Sequence, residues 1–525
     1  TPLTREGMPL YHVGKSDVQF RESGRKATSA AVTSAISVFP ELSELGWPNR
    51  GSEAEYHSLL LQASRFRETE APENLLASCE SLRSEYPNAK PKCCLSGERW
   101  NNGEIAEAVS KICESNINRK ASPGVPLSVF GQTNAEVLGS HSEFVIWAVV
   151  ERLNLLANAN LANGALTPEE LVKQGYCDPV RLFVKQEPHT RKKLDEGRYR
   201  LISSVSLIDQ LVERMIFGPQ NQLEIQMWRS IPSKPGMGLS ISEQAQSIWK
   251  DLECRHTQNP ACEADISGFD WSVQSWELWA DLHMRIQLGN FGDRLRMAAT
   301  SRFYCFMNSV FQLSNGNLIS QGKPGLMKSG SYCTSSTNSR IRCLMARIIE
   351  APWCIAMGDD SVEGYVPDAR RRYERLGHTC KDYIPCEVHP DGKLKKVNFC
   401  SHELSENKFW LTSWPKTLYR FLSTPSADLS DLESELWGCP NWKKIEGYVT
   451  KGNHSDKTSY TAIPDANQET DSSCRDSDKE YTTVSPTVSP AEWEKQLKES
   501  EYQQWDENNF HGESSSFSWS DLWFS

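Results

Sequence analysis

The sequence predicts an α+β fold for this chain of 525 residues. Short runs rich in Val, Ile and Phe, such as residues 180–185 and 354–363, are typical of strands. Longer segments with apolar residues at helical spacing, such as residues 142–161, are typical of helices. Strands and helices follow one another without a repeat of fixed length, which argues against a solenoid or a propeller.

The first half of the chain mixes polar stretches with short helical patterns. In order, we expect helices at 56–67 and 74–86, a loop at 116–131, a helix at 142–161, strands at 180–185 and 198–203 on either side of a basic segment, and a helix within 205–229.

The second half alternates strands with helices. In order, we expect a strand that ends at 264–268, a helix at 271–288, strands within 303–321 around the Asn315-Gly316 turn, a helix at 331–349, a strand, tight turn and strand at 354–363, and a helix at 368–376.

The composition is that of an ordinary globular protein, with 38% hydrophobic and 24% charged residues. No apolar run approaches the roughly 18 residues that span a bilayer, and residues 1–19 show no signal-peptide pattern. We therefore expect any membrane association to be indirect. The 16 cysteines are scattered without a repeating frame, so we interpret them as reduced thiols of a cytosolic protein.

The formal net charge of −11 is concentrated in the C-terminal tail. Residues 451–525 contain 15 Asp and Glu against 6 Lys and Arg, which leaves the preceding residues at −2. A near-neutral body permits a local basic channel. We expect the Ser-, Thr- and acid-rich tail to be largely disordered. Its interleaved aromatic residues fit either a partner-binding segment or a solvated appendage without a specific role.

Three polar clusters in a fixed order indicate the chemistry of the chain. They are Asp265-Ile-Ser-Gly-Phe-Asp270, then Ser329 and Gly330 with Thr334 and Asn338, then Gly358-Asp359-Asp360. The first and third clusters alone also fit ordinary turns, whereas the Ser-Gly-x3-Thr-x3-Asn pattern of the second is more specific. The three together, in this order, point to one site.

Transfer of a nucleotidyl group requires stabilisation of the negative charge between an attacking 3′-hydroxyl and a departing pyrophosphate. Two Mg²⁺ ions about 3.5–4 Å apart supply it in many enzymes, and such hard cations prefer carboxylate oxygens. A strand-end Asp265 beside a turn that carries Asp359 and Asp360 would provide the ligands. The sequence contains neither a Gly-x-Ser-x-Gly elbow nor a Walker A loop, the signatures of other catalytic routes.

At these residues the chain resembles the RNA-dependent RNA polymerases of positive-strand RNA plant viruses, in particular sobemoviruses and the related poleroviruses. The resemblance covers residues 119–404. Asp265 and Asp270 resemble motif A of that family, residues 329–338 resemble motif B, and residues 357–360 resemble motif C. The third cluster continues as Ser-Val-Glu-Gly, as it does in those viruses.

Further segments share the resemblance. They are Lys185-Gln-Glu187, Arg191-Lys-Lys193 and Arg198-Tyr-Arg200 for motif F, Ser122-Pro-Gly-Val-Pro126 for motif G at the template entrance, Lys381 for the motif D region, and residues 397–401 for motif E. On residue type alone, motif F equally fits a solvated charged loop, and motif G equally fits a plain Pro/Gly turn.

The resemblance implies a role for each matching residue. It implies metal binding and catalysis by Asp265, Asp359 and Asp360, with Lys381 protonating the pyrophosphate and Lys393, Lys395 or Lys396 as alternatives. It implies nucleotide binding by Lys185, Arg198, Arg200, Asp270, Ser329, Thr334 and Asn338. It implies contact with RNA template or primer by Ser122, Gly124, Lys193, Gly330 and Cys400. Mg²⁺ is the implied cofactor, and Mn²⁺ is expected to substitute for it.

The sequence argues against two alternative functions. In the resembled family, the residues at Asp270 and Asn338 read the ribose 2′-hydroxyl, which both donates and accepts hydrogen bonds. A reverse transcriptase would be expected to carry a bulky residue at the first position and a Tyr-x-Asp-Asp sequence, whereas Met357 precedes Gly358 here. An inactive RNA-binding scaffold is the other alternative, and the three intact carboxylate positions argue against it.

The resemblance implies a closed right hand of fingers, palm and thumb, with an antiparallel palm sheet packed on helices. In order, we expect residues 1–115 to bridge fingers and thumb, 116–205 to form fingers with motifs G and F, 206–240 palm, 241–256 fingers, 257–402 palm with motifs A to E, 403–450 thumb, and 451–525 the acidic tail.

A second metal site is not expected. His378, Cys380, Cys386 and His389 lie close in sequence, but their spacing matches no common zinc pattern. We interpret them as buried thiols and surface histidines.

The resemblance also implies partners and a location. The partners are RNA template and product, NTPs, and a genome-linked protein and other viral proteins that would bind through the acidic tail. The location is host cytoplasm, in membrane-associated replication complexes. Thr1 fits release from a viral polyprotein, and it equally fits a numbering that begins inside a longer sequence.

Overall fold

The computed structural model describes residues 1–20, 22 and 24–451. The helices are α1 (Ala30–Ala35), α2 (Ser52–Ala63), α3 (Leu75–Arg83), α4 (Asn102–Ser115), α5 (Asn134–Ala157), α6 (Pro168–Lys173), α7 (Arg191–Glu196), α8 (Leu207–Gln226), α9 (Ser242–Gln258), α10 (Ser275–Leu288), α11 (Asp293–Met307), α12 (Thr334–Ile348), α13 (Ala369–Arg375), α14 (Trp414–Ser423), α15 (Leu429–Glu435) and α16 (Trp442–Thr450). The acidic tail beyond residue 451, for which we predict disorder, lies outside the described residues.

The strands are β1 (Leu10–Lys15), β2 (Leu45–Gly46), β3 (Val180–Val184), β4 (His189–Thr190), β5 (Leu201–Ser204), β6 (Ala261–Ser267), β7 (Val310–Gln312), β8 (Asn317–Gln321), β9 (Cys354–Met357), β10 (Asp360–Gly364), β11 (Thr379–Pro385), β12 (Glu387–Val388), β13 (Leu394–Phe399), β14 (His402–Ser405) and β15 (Lys408–Leu411). Within the described residues they form sheets of order β1-β8-β7-β3-β5, β11-β6-β10-β9, β12-β13-β14-β15 and β2-β4. β3 and β7 run parallel, whereas β6, β9, β10 and β11 are antiparallel. The predicted α+β class is confirmed.

In the sheet β11-β6-β10-β9, strands β9 and β10 carry buried side chains on both faces, since alternate side chains of a strand point to opposite sides. On β9, Cys354 and Ala356 join the large core that contains α10 and α12. Ile355 points the other way, into a core with Trp249 of α9 and Val397 of β13. The ends of this sheet are therefore held in place by helices on one side and by a helix and a second sheet on the other.

The segment around α1 packs on the C-terminal helices. Val32 and Phe39 share a core with Leu418 of α14 and Ile445 of α16. The ring of Phe39 meets that of Trp414 edge to face, with centroids 6.1 Å apart. The N-terminal segment therefore packs on helices from the C-terminal end of the described residues.

Most predicted elements are present, and one prediction is wrong in part. Residues 303–307, which we predict as strand, form the end of α11. Their aromatic residues have high β-propensity, but Phe303 and Phe306 are buried in a helical core, and burial outweighs propensity. Several elements were not predicted, namely helices α1, α4, α6, α7 and α9 and strands β1, β2, β4 and β11 to β15.

None of the helices in the described part of the chain is long and apolar enough to cross a membrane. The cysteines described there carry free thiols.

Candidate active site

Asp265 and Asp360 are neighbours across two adjacent strands. β6 and β10 are antiparallel with Ala264 opposite Ser361, so the next position on each strand places Asp265 opposite Asp360. Paired Cα atoms in such strands lie about 4.5–5.5 Å apart, and their side chains share one face. The charge of Asp265 contributes to raising the pKa values of both Asp359 and Asp360. The structure therefore brings together the three carboxylates that the sequence predicts to converge.

The turn between β9 and β10 is fixed by helix α12. Gly358 has φ +60°, a conformation that suits glycine. Its N–H donates to Oγ of Ser339 at 2.8 Å. Arg342 donates from Nε to the carbonyl oxygen of Asp359 at 3.2 Å, and its guanidinium also donates to Oγ of Ser361. Two α12 side chains thus set the position of the Asp359 backbone.

The electrostatics of the turn disfavour negative charge without a counter-ion. Loss of hydration raises the pKa of Asp360 to about 7, and the charges of Asp359 and Asp265 act in the same direction. The opposing contact is the N–H of Cys400, which donates to Oδ2 of Asp360 at 2.8 Å. Partial loss of hydration also raises the pKa of Asp359, with Asp265 contributing. A cation placed among these carboxylates would relieve their repulsion.

The carboxylates are adjacent without forming a closed cage. Within residues 1–20, 22 and 24–451, no three His, Cys, Asp or Glu side chains are already arranged to hold a metal ion. Asp265 and Asp359 remain open to solvent, and Asp360 is half-buried. Mg²⁺ keeps several waters and is usually bound by one or two carboxylates together with substrate phosphates. The donor set of hard, accessible oxygens fits that mode of binding.

Asp270 and Asn338 form a hydrogen-bonded pair. Asp270 lies in the short 3-10 turn after β6, and Asn338 is buried on α12. Nδ2 of Asn338 donates to Oδ1 of Asp270 at 3.0 Å. Oδ1 of Asn338 is buried and has no hydrogen-bond partner in the described structure. Burial and then the charge of Asp359 raise the pKa of Asp270 to about 7.

The loop before α12 is tied to protein backbone. Oγ of Ser329 accepts from the N–H of Ser203 at 3.1 Å, and the N–H of Gly330 donates to the carbonyl of Ser203 at 3.0 Å. A Cβ at Gly330 would lie 2.3 Å from that carbonyl oxygen, so β5 itself requires glycine here. Oγ1 of Thr334 donates to the carbonyl of Lys328 at 2.9 Å. Contact of these residues with nucleotide or RNA stays a prediction.

The basic segment gathers around one buried carboxylate, that of Glu187, which is 7% exposed. Arg200 donates to it from Nη1 at 2.7 Å, and Nζ of Lys185 lies 3.6 Å from its Oε2. The charge of Arg200 partly opposes the rise in the pKa values of Asp270 and Asp359. The predicted cations therefore adjoin the carboxylate site.

Two further cations of the segment lie beside these. Burial, followed by the charge of Arg200, lowers the pKa of Lys193 on α7. Arg198 pairs with Glu196 at 2.8 Å. The charge of Arg198 also contributes to lowering the pKa of Lys193, so both residues belong to the same basic surface.

A family model described as viral RNA-directed RNA polymerase matches residues 31–414. The chain belongs to the viral RNA-directed RNA polymerases. Membership implies the right-hand polymerase fold, and the α+β architecture with mixed sheets is consistent with it.

Relatives of this polymerase come from plant and fungal viruses. It is 60% identical over 453 residues to the replicase polyprotein P2AB of Southern cowpea mosaic virus, covering 86% of this chain and 47% of that polyprotein. It is 38% identical over 400 residues to Protein P1-P2 of Potato leafroll virus (strain Potato/Netherlands/Wageningen/1989), covering 70% and 36%. It is 37% identical over 338 residues to the RNA-directed RNA polymerase of Mushroom bacilliform virus, covering 62% and 79%. The polymerase chain spans about half the length of the P2AB polyproteins that it matches.

Lys381 of this polymerase lies beside the strand that carries Asp265. On β11, Asp382 pairs with Asp265, and the register shifts between Cys380 and Asp382, so Lys381 occupies an irregularity next to that pair. The alternatives lie on or just before β13, where each faces an acidic residue, Lys393 with Asp391 and Lys395 and Lys396 with Glu387. Lys381 is thus the candidate placed beside the Asp265 strand, and its role as proton donor stays a prediction.

The predicted template loop is anchored to α8. Ser122 is buried, and its Oγ accepts from the N–H of Gly124 at 3.2 Å. Gly124 has φ +71°, and a Cβ there would lie 2.9 Å from Cα of Ser206. The N–H of Leu207 donates to the carbonyl of Pro123 at 2.9 Å. Contact of Ser122, Gly124 or Cys400 with RNA stays a prediction.

The interpretation as a surface histidine is wrong for His378, which is buried. Nε2 of His378 lies 2.8 Å from Oε1 of Glu277, and its Nδ1 lies 2.8 Å from Oγ of Ser272, all three side chains being buried. His389 is exposed. His378 thus serves a protein contact that joins the turn after β6 to the segment before β11.

Sequence reasoning missed residues that support the polymerase site. Asp382 pairs with Asp265 in register and is a fourth acidic residue beside Asp265, Asp359 and Asp360. Arg342 lies four residues after Asn338, a spacing that places both on one side of α12 and could have revealed it. Glu187 lies within motif F, and its acidity inside a basic segment was the available signal.

Proposed function

We propose that this polymerase catalyses RNA-templated RNA synthesis, transferring nucleotides from NTPs to an RNA 3′-hydroxyl, and so replicates a positive-strand viral genome. The proposal rests on one observation, the placement of Asp265 opposite Asp360 with Asp359 in the adjoining turn. Nucleotidyl transfer needs this donor set, and membership of the family supports it.

Asp265, Asp359 and Asp360 would hold Mg²⁺, with Mn²⁺ as a substitute. Bound divalent cations supply neutralisation of the charge that develops on the transferred phosphate and the leaving pyrophosphate. The protein's own contribution is to keep the carboxylates at adjoining strand positions. Arg342 contributes by fixing the Asp359 backbone.

Other predicted residues would bind the nucleotide. Asp270 and Asn338 would read the ribose, because the free Oδ1 of Asn338 can accept a hydrogen bond from the 2′-hydroxyl. The residues proposed for the triphosphate and the nucleotide loop are Lys185, Arg198, Arg200, Ser329 and Thr334. Lys381 would protonate the leaving pyrophosphate.

The remaining predicted residues would contact RNA. They are Ser122, Gly124, Lys193, Gly330 and Cys400. For the segments between and around them we propose the layout of fingers, palm and thumb given above. The antiparallel sheet that carries the carboxylates supports the palm at 257–402. The core shared by α1 and α14 supports an N-terminal segment that bridges to the thumb.

Partners and location are proposed from family context. The relatives named replicase polyprotein support a setting among other viral proteins, of which a genome-linked protein is one. We propose that these partners bind the acidic tail, and that replication takes place in membrane-associated complexes of the host cytoplasm.

A primer-extension assay tests the function directly. The purified chain is given an RNA primer–template, Mg²⁺ or Mn²⁺, and labelled NTP or dNTP. We expect RNA product from NTP, and its loss in Asp359→Asn, which keeps the shape of the side chain but removes its charge. Asp431→Asn, an exposed change on α15, is the matched control and should retain activity.

The same assay separates the alternatives. DNA product from dNTP at a comparable rate would indicate a reverse transcriptase. RNA binding without product from well-folded protein would indicate an inactive scaffold.

A further inference from the structure

A lysine from outside the recognised motifs reaches the basic segment. Lys416 lies on α14, and its Nζ is 2.8 Å from Oε2 of Glu187, the carboxylate that also binds Arg200 and Lys185. Lys416 remains 28% exposed, whereas Glu187 is 7% exposed. One buried carboxylate thus joins cations from two parts of the chain that are far apart in sequence.

Helix α14 is oriented by its apolar side. Leu418 and Leu422 are buried in the core shared with α1. Lys416 and Arg420 lie one turn apart on a different side of the helix. The charge of Arg420 contributes to lowering the pKa of Lys185, after burial and Arg200. Both α14 cations therefore face the basic segment.

The cluster holds more positive charge than its protein partners neutralise. Lys185, Arg200 and Lys416 share the single carboxylate of Glu187, and burial lowers the pKa of Lys416 to about 8, with Arg200 and Lys185 acting in the same direction. Such an excess, in a partly desolvated setting, favours a polyanionic ligand.

The position of the cluster indicates which polyanion it would bind, a nucleoside triphosphate or an RNA backbone. Arg200 is close enough to Asp359 and Asp270 that its charge partly opposes the rise in their pKa values. These residues mark the proposed metal site and the proposed ribose site. A triphosphate whose α-phosphorus lies at the carboxylates would direct its β- and γ-phosphates toward neighbouring cations, whereas an RNA backbone would follow the template or primer path.

We propose that Lys416 is a triphosphate-binding residue that α14 contributes to the nucleotide site, and that Glu187 holds it in place until nucleotide binds. The proposal rests on the polymerase function proposed above. On nucleotide binding, Lys416 shifts part of its hydrogen bonding from the carboxylate to phosphate oxygens. No covalent step is involved.

The test compares Lys416→Met with Lys416→Arg, Glu187→Gln and the control Lys443→Met, an exposed charge loss on α16. Single-nucleotide incorporation gives kcat and the KM for NTP, and titration gives the Kd for primer–template. Inorganic pyrophosphate is the second probe, read as an inhibition constant and as direct binding by calorimetry. Thermal unfolding of each full-length variant is recorded alongside.

For Lys416→Met we expect a rise of about tenfold in the KM for NTP and in the inhibition constant of pyrophosphate, with kcat within about twofold, because a charged contact to phosphate is lost. Lys416→Arg should retain most of the binding, and Lys443→Met should match the original chain. Glu187→Gln should leave the KM for NTP unchanged or lower it, since the cations are released toward phosphate.

Three results would overturn the proposal. One is an unchanged KM for NTP in Lys416→Met. Another is an equal rise in the KM for NTP in Glu187→Gln, which would mean that Lys416 only links α14 to the basic segment structurally. The third is a rise confined to the Kd for primer–template, which would assign Lys416 to RNA. Pyrophosphate binding that depends on Lys416, in a chain that incorporates no nucleotide, would support the site and refute the proposed function.

Discussion

Nδ2 of Asn338 donates a 3.0 Å hydrogen bond to Oδ1 of Asp270, which links helix α12 to the turn after β6. The amide is oriented by this bond, so that its Oδ1 faces away from Asp270. That buried oxygen has no partner in the described structure. This oxygen is therefore suited to accept a hydrogen bond from a sugar hydroxyl of an incoming nucleotide.

Asn338→Ala should weaken selection for ribonucleotides. Loss of one hydrogen bond to the 2′-hydroxyl is expected to reduce the ratio of kcat/KM for CTP to that for dCTP by about 10- to 100-fold. Single-nucleotide incorporation on one primer–template measures both values. Ser335→Ala, an exposed change on the same helix, is the control. An unchanged ratio, with both nucleotides impaired equally, would refute the role.

His378→Ala should destabilise the protein. It removes one hydrogen-bond partner of the buried Glu277 carboxylate and the stacking of the imidazole on Phe269, whose ring centroid is 5.7 Å away. Loss of a buried hydrogen-bond partner costs about 1–3 kcal/mol. Thermal unfolding should therefore move to lower temperature, while His389→Ala, at an exposed position, should not. Equal unfolding temperatures for the two variants would contradict the assignment.

Lys328 should make stability rise with pH. It is fully buried, its Nζ donates to the carbonyls of Gly325 and Leu326, and burial lowers its pKa well below the ordinary 10.5. The unfolded chain keeps the proton that the folded chain releases, so unfolding free energy increases with pH between the two pKa values. Relative to Lys328→Met, the original chain should gain up to about 1.4 kcal/mol per pH unit in that range.

Urea unfolding at pH 7, 8 and 9 tests the Lys328 prediction. Lys323→Met, at an exposed position nearby, should show the same pH dependence as the original chain. Parallel curves for Lys328→Met and the original chain would show that Lys328 does not titrate differently in the folded state.

Removal of residues 451–525 should leave elongation largely intact. The carboxylates, the basic segment and the cores that position them all lie before residue 451. Elongation rate on a generic RNA template is the measurement, with the full chain as reference. Loss of elongation in the truncated protein would show that the tail belongs to the folded enzyme.

The sequence predicted the carboxylate site because local patterns encode it. The strand before Asp265, the glycine turn before Asp359 and the helix that carries Asn338 each have a short-range signature. The resemblance implied that these segments converge in space, and the register of β6 with β10 is consistent with that convergence.

The sequence could not predict contacts that depend on tertiary packing. Lys416 has no local signature, because its role arises from the way Leu418 packs α14 against the N-terminal segment. The need for glycine at position 330 comes from the Ser203 carbonyl more than a hundred residues earlier. Phe303 illustrates the same limit, since the Asn315-Gly316 turn indicated flanking strands where core burial favours a helix.

The central claim is that Asp265, Asp359 and Asp360 together bind divalent cations. Anomalous diffraction from crystals of the polymerase with primer–template, a non-hydrolysable NTP and Mn²⁺ tests it most directly. We predict anomalous peaks within about 2.5 Å of carboxylate oxygens of Asp265 and Asp359. Mn²⁺ bound elsewhere, with the Asp265 side chain more than about 10 Å from those of Asp359 and Asp360, would contradict the claim, because paired catalytic ions lie only about 4 Å apart.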